Sequence, residues 1–299
     1  MEHAELISGA FADVKKALFG WNNFPFWIKL FLQIVIPIVV GILAATIILQ
    51  IIVKPILIDL LINDNLGFTE NGLTYMLEFA AVSFGFFCIF LVPIFQGFLY
   101  RLIRTDKFPK AGNQTALFFS GWRVNIVCLF YAIPLVIIYL LFATLYLLLE
   151  GKFTGFAGVF PVGNALIDTV VFIIYAALML IVLIIVSLFA VISLVHVARG
   201  ASFRYAFSIK NSMRMIKQIG WYNYLLCLVL CAIPILILTV IFLGIGISVS
   251  GAAAAGFIVV GVYIFLLIPL IIFCCRYITK VYDVGILPVQ EDTEEFDDF

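Results

Sequence analysis

Residues 170–200 read VVFIIYAALMLIVLIIVSLFAVISLVHVARG, and no Asp, Glu, Lys or Arg interrupts the run before Arg199. A hydrocarbon core of about 30 Å takes roughly 20 apolar residues in a helix. The run is too long for a barrel strand of about 10 residues and does not alternate polar with apolar side chains. Inside lipid only a helix or a closed barrel satisfies its own backbone, so this segment reads as a transmembrane helix. Five other stretches share its character, which puts spans at about 27–53, 73–100, 122–149, 167–197, 221–243 and 255–279. Of the 299 residues 65% are apolar and 11% charged, and the mean hydropathy is +1.24. The expected fold is an all-α membrane protein: six transmembrane helices in one domain, residues 1–287, followed by a tail, 288–299.

The basic residues orient these spans, because Lys and Arg gather in short cytoplasmic loops. Lys15, Lys16 and Lys29 precede the middle of span one. Arg101, Arg104, Lys107, Lys110 and Arg123 lie between spans two and three. Arg199, Arg204, Lys210, Arg214 and Lys217 lie between spans four and five, and Arg276 and Lys280 close span six. Of the 17 basic residues only Lys54 and Lys152 fall on the other side. Both termini are therefore expected in the cytoplasm, with the chain in the cell membrane. The first 20 residues include Glu2, Glu5, Asp13, Lys15 and Lys16 and lack the apolar core of a cleavable signal. Span one is expected to act as an uncleaved insertion signal. Asn113-Gln114-Thr115 fits the glycosylation pattern but lies in an expected cytoplasmic loop, out of the transferase's reach.

Three units look alike. In each, an aromatic-rich approach leads to a span with an Ile-Pro step, and a returning span ends in basic residues. The approaches are Trp21, Phe24, Phe26 and Trp27, then Trp122, then Trp221, Tyr222 and Tyr224. The steps are Ile36-Pro37, Ile133-Pro134 and Ile233-Pro234. Three helical hairpins forming a threefold internal repeat are the expected arrangement. Interfacial Trp and intramembrane Pro are common in any membrane protein, which is the repeat-free explanation. Each proline removes a backbone hydrogen bond, so kinks are expected at Pro37, Pro134 and Pro234, and also at Pro93 and Pro269.

Two segments read as short interfacial amphipathic helices. One carries Phe207, Met213 and Ile216 at helical spacing beside a basic stripe of Lys210, Arg214 and Lys217; the other carries Leu6, Ile7, Ala10, Phe11, Val14 and Leu18. Together Arg101, Arg104, Arg123, Arg199, Arg204, Lys210, Arg214 and Lys217 make a basic cytoplasmic collar. Membrane lipids are its expected partner, at about 1 kcal/mol per basic residue near an anionic surface. A partner protein, a second copy of the chain or plain topology-setting charge are the alternatives. Glu291, Asp292, Glu294, Glu295, Asp297 and Asp298 mark an acidic, disordered tail.

Groups that carry chemistry are scarce. His3 and His196 are the two histidines, too few for a multi-histidine metal site, and His196 reads as an interfacial anchor. All six cysteines lie inside spans and read as small packing residues rather than disulfide partners. Glu78 and Asp168 sit near outer span ends as caps, and Gly251 to Gly256 read as a small-residue surface for close helix approach. Gln33, Gln96 and Asn125 are the notable polar residues within spans. Net charge is zero, which leaves no broad basic field for nucleic acid. No catalytic residue, metal ligand or cofactor is expected. The leading reading is a non-enzymatic integral membrane protein acting through its collar. The alternative is a transporter or channel for a small or lipophilic solute, marked by a polar cavity reaching Gln33, Gln96 and Asn125.

Gln96-Gly97-Phe98-Leu99-Tyr100-Arg101, followed by Arg104, Pro109 and Gly121, resembles the family catalogued as domain of unknown function 4013. Ala198-Arg199-Gly200, Ala206-Phe207, Met215-Ile216-Lys217 and Trp221-Tyr222-Asn223-Tyr224 extend the resemblance over about residues 90–285. The likeness implies an uncharacterised multi-pass membrane protein of a kind found largely in archaea, with no catalytic residue or substrate to carry over. This chain has Lys107 and Lys110 where acidic residues are more usual in the family.

Overall fold

The fold is set by where the apolar runs stop and where a proline interrupts them. The computed structural model describes residues 2–19, 23–58, 70–105, 108–109, 113–150, 165–248 and 253–294, and no strand occurs among them. The helices are α1 His3–Leu18, α2 Phe24–Ile48, α3 Lys54–Leu57, α4 Glu70–Leu91, α5 Ile94–Arg104, α6 Gln114–Glu150, α7 Ala165–Ala198, α8 Ile209–Ile219, α9 Trp221–Ser248 and α10 Ala253–Glu294. A π-helical turn, Leu49–Val53, joins α2 to α3, and a 3-10 turn, Phe203–Phe207, precedes α8.

Six stretches among the described residues are long and apolar enough to cross a membrane: Phe24–Leu57, Met76–Arg104, Gln114–Thr144, Ile173–Ala198, Trp221–Ser248 and Gly256–Ile286. Each overlaps one span read from the sequence, and the differences at the ends have local causes. The first runs past residue 53 because the π turn widens the helix just ahead of Pro55. A proline ring pushes on the carbonyl four residues earlier, here Ile51, which lies in that wider turn. The second span is two helices, since α4 stops at Leu91 and α5 starts at Ile94 across Pro93, a full break where a kink is expected. Pro37, Pro134 and Pro234 lie inside unbroken helices. The last helix runs on to Glu294, so residues 288–294 of the tail are helical rather than disordered. Gln and Glu propagate an existing helix well. Residues 295–299 of that tail lie outside the described residues.

The chain divides into two units, one made of Met1–Asn125 with Ile219–Phe299 and the other of Ile126–Gln218. In the first, α2 packs on α4, α9 on α10, and α1 on α10. Its core joins Val14 and Leu18 of α1, Trp27, Leu30, Ile34 and Ile38 of α2, Phe95, Phe98 and Leu102 of α5, Leu117 of α6, and Ile268 and Ile272 of α10. Trp27 stacks on Phe265 at 4.4 Å between ring centroids and donates its indole N–H to the Phe265 carbonyl at 3.2 Å. Lipid is as apolar as these side chains, so helices associate through close packing rather than a hydrophobic drive. At Gly41 an added Cβ would meet Cys88 and the Gly85 backbone, so α2 and α4 touch through glycine. Gly256 has open space around it, while Gly251 and Ala252 of the expected small-residue surface lie outside the described residues.

The N-terminal helix is seated on protein. Ala10, Val14 and Leu18 are buried, Leu6 and Ile7 are half-buried, and Phe11 is exposed. Asp13 pairs with Lys280 at 3.1 Å. At the same end, Arg276 is 4% exposed, donates from Nη1 to the Thr105 carbonyl at 3.0 Å and lies over the Phe108 ring. In the second unit α6 and α7 run antiparallel, since Phe142 meets Tyr175 while Tyr131 meets Ser193.

Candidate functional site

Two groups of polar residues are placed by this fold, one at the Pro93 break and one beneath α8. Proline has no N–H, so the Ile89 carbonyl four residues earlier has no helical donor. The Ile94 N–H turns to the Val92 carbonyl at 2.8 Å, which leaves the Phe90 carbonyl without its helical donor as well. Side chains take over both bonds. Gln96 Nε2 donates to the Ile89 carbonyl at 3.2 Å, and Asn125 Nδ2, from α6, donates to the Phe90 carbonyl at 2.7 Å. Asn125 is 2% exposed. In lipid an unpaired backbone group costs several kcal/mol, so these two amides complete the broken span.

The break is also pressed against α6. A Cβ on Gly97 would land on the Leu117 carbonyl, and one on Gly121 would land on the Pro93 carbonyl. Backbone therefore meets backbone at two glycines, where no other residue fits without moving a helix. The third in-span polar residue, Gln33, donates to Gln114 Oε1 at 3.4 Å. Gln96 and Asn125 cap carbonyls at the break, and Gln33 bonds to a different partner.

The second group passes unnoticed in the sequence. Tyr131, Ser193 and Ser212 are all buried. Tyr131 Oη lies 2.8 Å from Ser193 Oγ and donates to the Ala206 carbonyl at 2.9 Å, and Ser193 Oγ lies 2.7 Å from Ser212 Oγ. The Ala206 carbonyl takes the Tyr131 proton, so Ser193 donates to Tyr131, while the one proton of Ser212 is shared between Ser193 Oγ and the Ser208 carbonyl, 3.2 Å away. Every hydroxyl proton has an acceptor, and no base stands in the chain. Its work is mechanical, tying α6, α7, the 3-10 turn and α8 together. A lone Tyr and a lone Ser in apolar spans give no sequence signal of meeting.

The basic residues divide between the two units. In the first, Arg101 is half-buried and donates to Ser120 Oγ at 3.4 Å, while Arg104 and Arg123 are exposed. In the second, Arg199 is half-buried at the end of α7, and Arg204, Lys210, Arg214 and Lys217 are exposed. Of the expected collar, the structure gathers Lys210, Arg214 and Lys217 into one stripe on α8. Its buried face is Ser212, Met215, Ile216 and Ile219, whereas Met213, expected on the apolar face, is exposed.

Several other expectations have a definite place. Glu78 is exposed on α4, and the side chain of Asp168 lies outside the described residues. The ring of His196 meets Tyr205 edge-on at 6.0 Å. Cys274 donates to the Cys231 carbonyl at 3.7 Å between α10 and α9. Among the described residues no group of three His, Cys, Asp or Glu is placed to hold a metal ion. His3 bridges Tyr277 Oη at 2.7 Å and Asn223 Oδ1 at 3.3 Å, a contact without a local sequence signal. The model of one family, Protein of unknown function (DUF4013), matches residues 81–247. The chain belongs to that family. The DUF4013 segment begins in α4 ahead of the break and ends in α9. It holds the Pro93 break, both amide caps, Gly97, Gly121, the hydroxyl chain and all eight basic residues of the expected collar. No curated protein and no solved structure matches the chain.

Proposed function

We propose that this DUF4013 member is a non-enzymatic integral membrane protein that acts through contact at its basic side. The carrying observation is that five polar side chains within and beside the spans are tied into the fold. The amides of Gln96 and Asn125 bind carbonyls at the break, and the hydroxyls of Tyr131, Ser193 and Ser212 bind one another. Arg104, Arg123, Arg204, Lys210, Arg214 and Lys217 stay exposed. Both termini face the cytoplasm of a cell membrane in this reading. In the first unit, α1 with Lys15 and Lys16, Lys280, Arg276 and the end of α5 meet at one end, as the distribution of positive charge requires. The six spans form three hairpins, of which α6–α7 and α9–α10 are supported by antiparallel side-chain contacts.

Purification of the full chain in mild detergent, with mass spectrometry of retained lipids and proteins, tests the reading. A variant with the eight basic residues changed to Gln loses the retained species. Identical retention by both proteins ends it. The break at Pro93 favours transport as a second reading, because interrupted helices line substrate sites in transporters and Gln96 Oε1 is buried there without a hydrogen bond. Ion flux in proteoliposomes that changes with Gln96→Leu supports that reading; flux equal to empty vesicles removes it.

A further inference from the structure

Around α8 three faces succeed one another. Ser212, Met215, Ile216 and Ile219 are buried. At 3.6 residues per turn, Ile209 and Met213 stand beside that buried face, and both are exposed, at 54% and 38%. Tyr205, in the 3-10 turn before α8, is 49% exposed as well. Lys217, Lys210 and Arg214 come next around the helix, all exposed, and Gln218 and Asn211 lie beyond them. Among the described residues no acidic side chain pairs with the three cations.

The depth of this helix is fixed within its own unit. Ser212 is bonded to Ser193, five residues before the end of the apolar stretch Ile173–Ala198. At 1.5 Å per residue that is about 7.5 Å inside the end of the span, the level at which interfacial helices lie. An exposed apolar ridge at that depth faces acyl chains, and a basic stripe beside it faces phosphates. A protein partner recognised by charge alone needs the stripe but not the ridge.

We propose that α8 is a lateral site for an anionic phospholipid. The chain lies along Ile209 and Met213, and the phosphate is held by Lys210, Arg214 and Lys217. This rests on the contact reading above and narrows it to lipid. The test uses the full chain in nanodiscs of phosphatidylcholine, alone or mixed with phosphatidylglycerol, with native mass spectrometry of the lipid retained. Wild type retains phosphatidylglycerol over phosphatidylcholine. Lys210→Gln/Arg214→Gln/Lys217→Gln binds it about a hundredfold more weakly, from roughly 1 kcal/mol per charge. Ile209→Gln/Met213→Gln also weakens it, Arg214→Lys keeps it, and soluble glycerol 3-phosphate does not displace it. All these positions are exposed, so the buried face of α8 is left intact. Equal retention by wild type and the charge variant overturns the proposal, as does equal retention of both lipids or displacement by glycerol 3-phosphate. If only the eight-residue variant sheds lipid, the contact reading stands and this site falls. If a charge-dependent protein is retained in place of lipid, the occupant is a protein and this site falls.

Discussion

Asn125 shows how one polar side chain holds a membrane helix that has been cut. Changing it to Leu strands the Phe90 carbonyl in an apolar setting, a loss of about 1–3 kcal/mol. Thermal denaturation in detergent should register it as a lower midpoint for Asn125→Leu than for wild type. Gln96→Leu should cost less, because its bond to Ile89 is longer, 3.2 Å against 2.7 Å. Gly121→Ala should be the most damaging of the three, since even a methyl group would strike the Pro93 carbonyl. Its readout is the fraction of folded protein on fluorescence-detected size exclusion. Gln96, Gly97, Gly121 and Asn125 all stand out in the sequence, as polar residues in spans or as parts of a family-like motif. Their work does not. Which carbonyls a proline orphans, and which helix lies near enough to satisfy them, is decided by packing between segments far apart in the chain.

The amphipathic helix α8 is half legible in the same way. Three cations at helical spacing reveal the exposed stripe without a structure. The buried face is shifted from its expected place, to Met215 rather than Met213, because Ser212 is drawn in by Ser193 and turns the helix with it. A hydrophobicity pattern counts Ser212 as polar and assigns it to the outside. Tyr131→Phe tests this anchoring. It removes the donor to the Ala206 carbonyl, a loss of about 1 kcal/mol, and hydrogen exchange should speed up over residues 203–212 while the cores of α6 and α7 stay protected. The first span differs at its far end, expected at about residue 53. The backbone instead widens into a π turn and continues to Leu57.

The number of spans is legible because a run of roughly 20 apolar residues has few alternatives in lipid. The charge distribution proposes a sidedness, and direct measurement tests it. Single cysteines placed at 105–115 and 200–215 should label only from the cytoplasmic side, and those at 60–70 and 152–160 only from outside. Labelling of 105–115 from outside reverses the orientation. What hydropathy does not convey is which spans touch, since every lipid-facing surface looks alike. The seat of α1 is a case in point. Its anchors, Tyr277 and Lys280, belong to the last helix, and Ile268 and Ile272 of that helix close the core around Trp27. Chains are made from the N-terminal side onward, so the core that α1 and α2 share waits for α10 before it can close. A product truncated before α10 lacks Phe265 and leaves Trp27 uncovered, a broad aromatic face open to the cell's quality control.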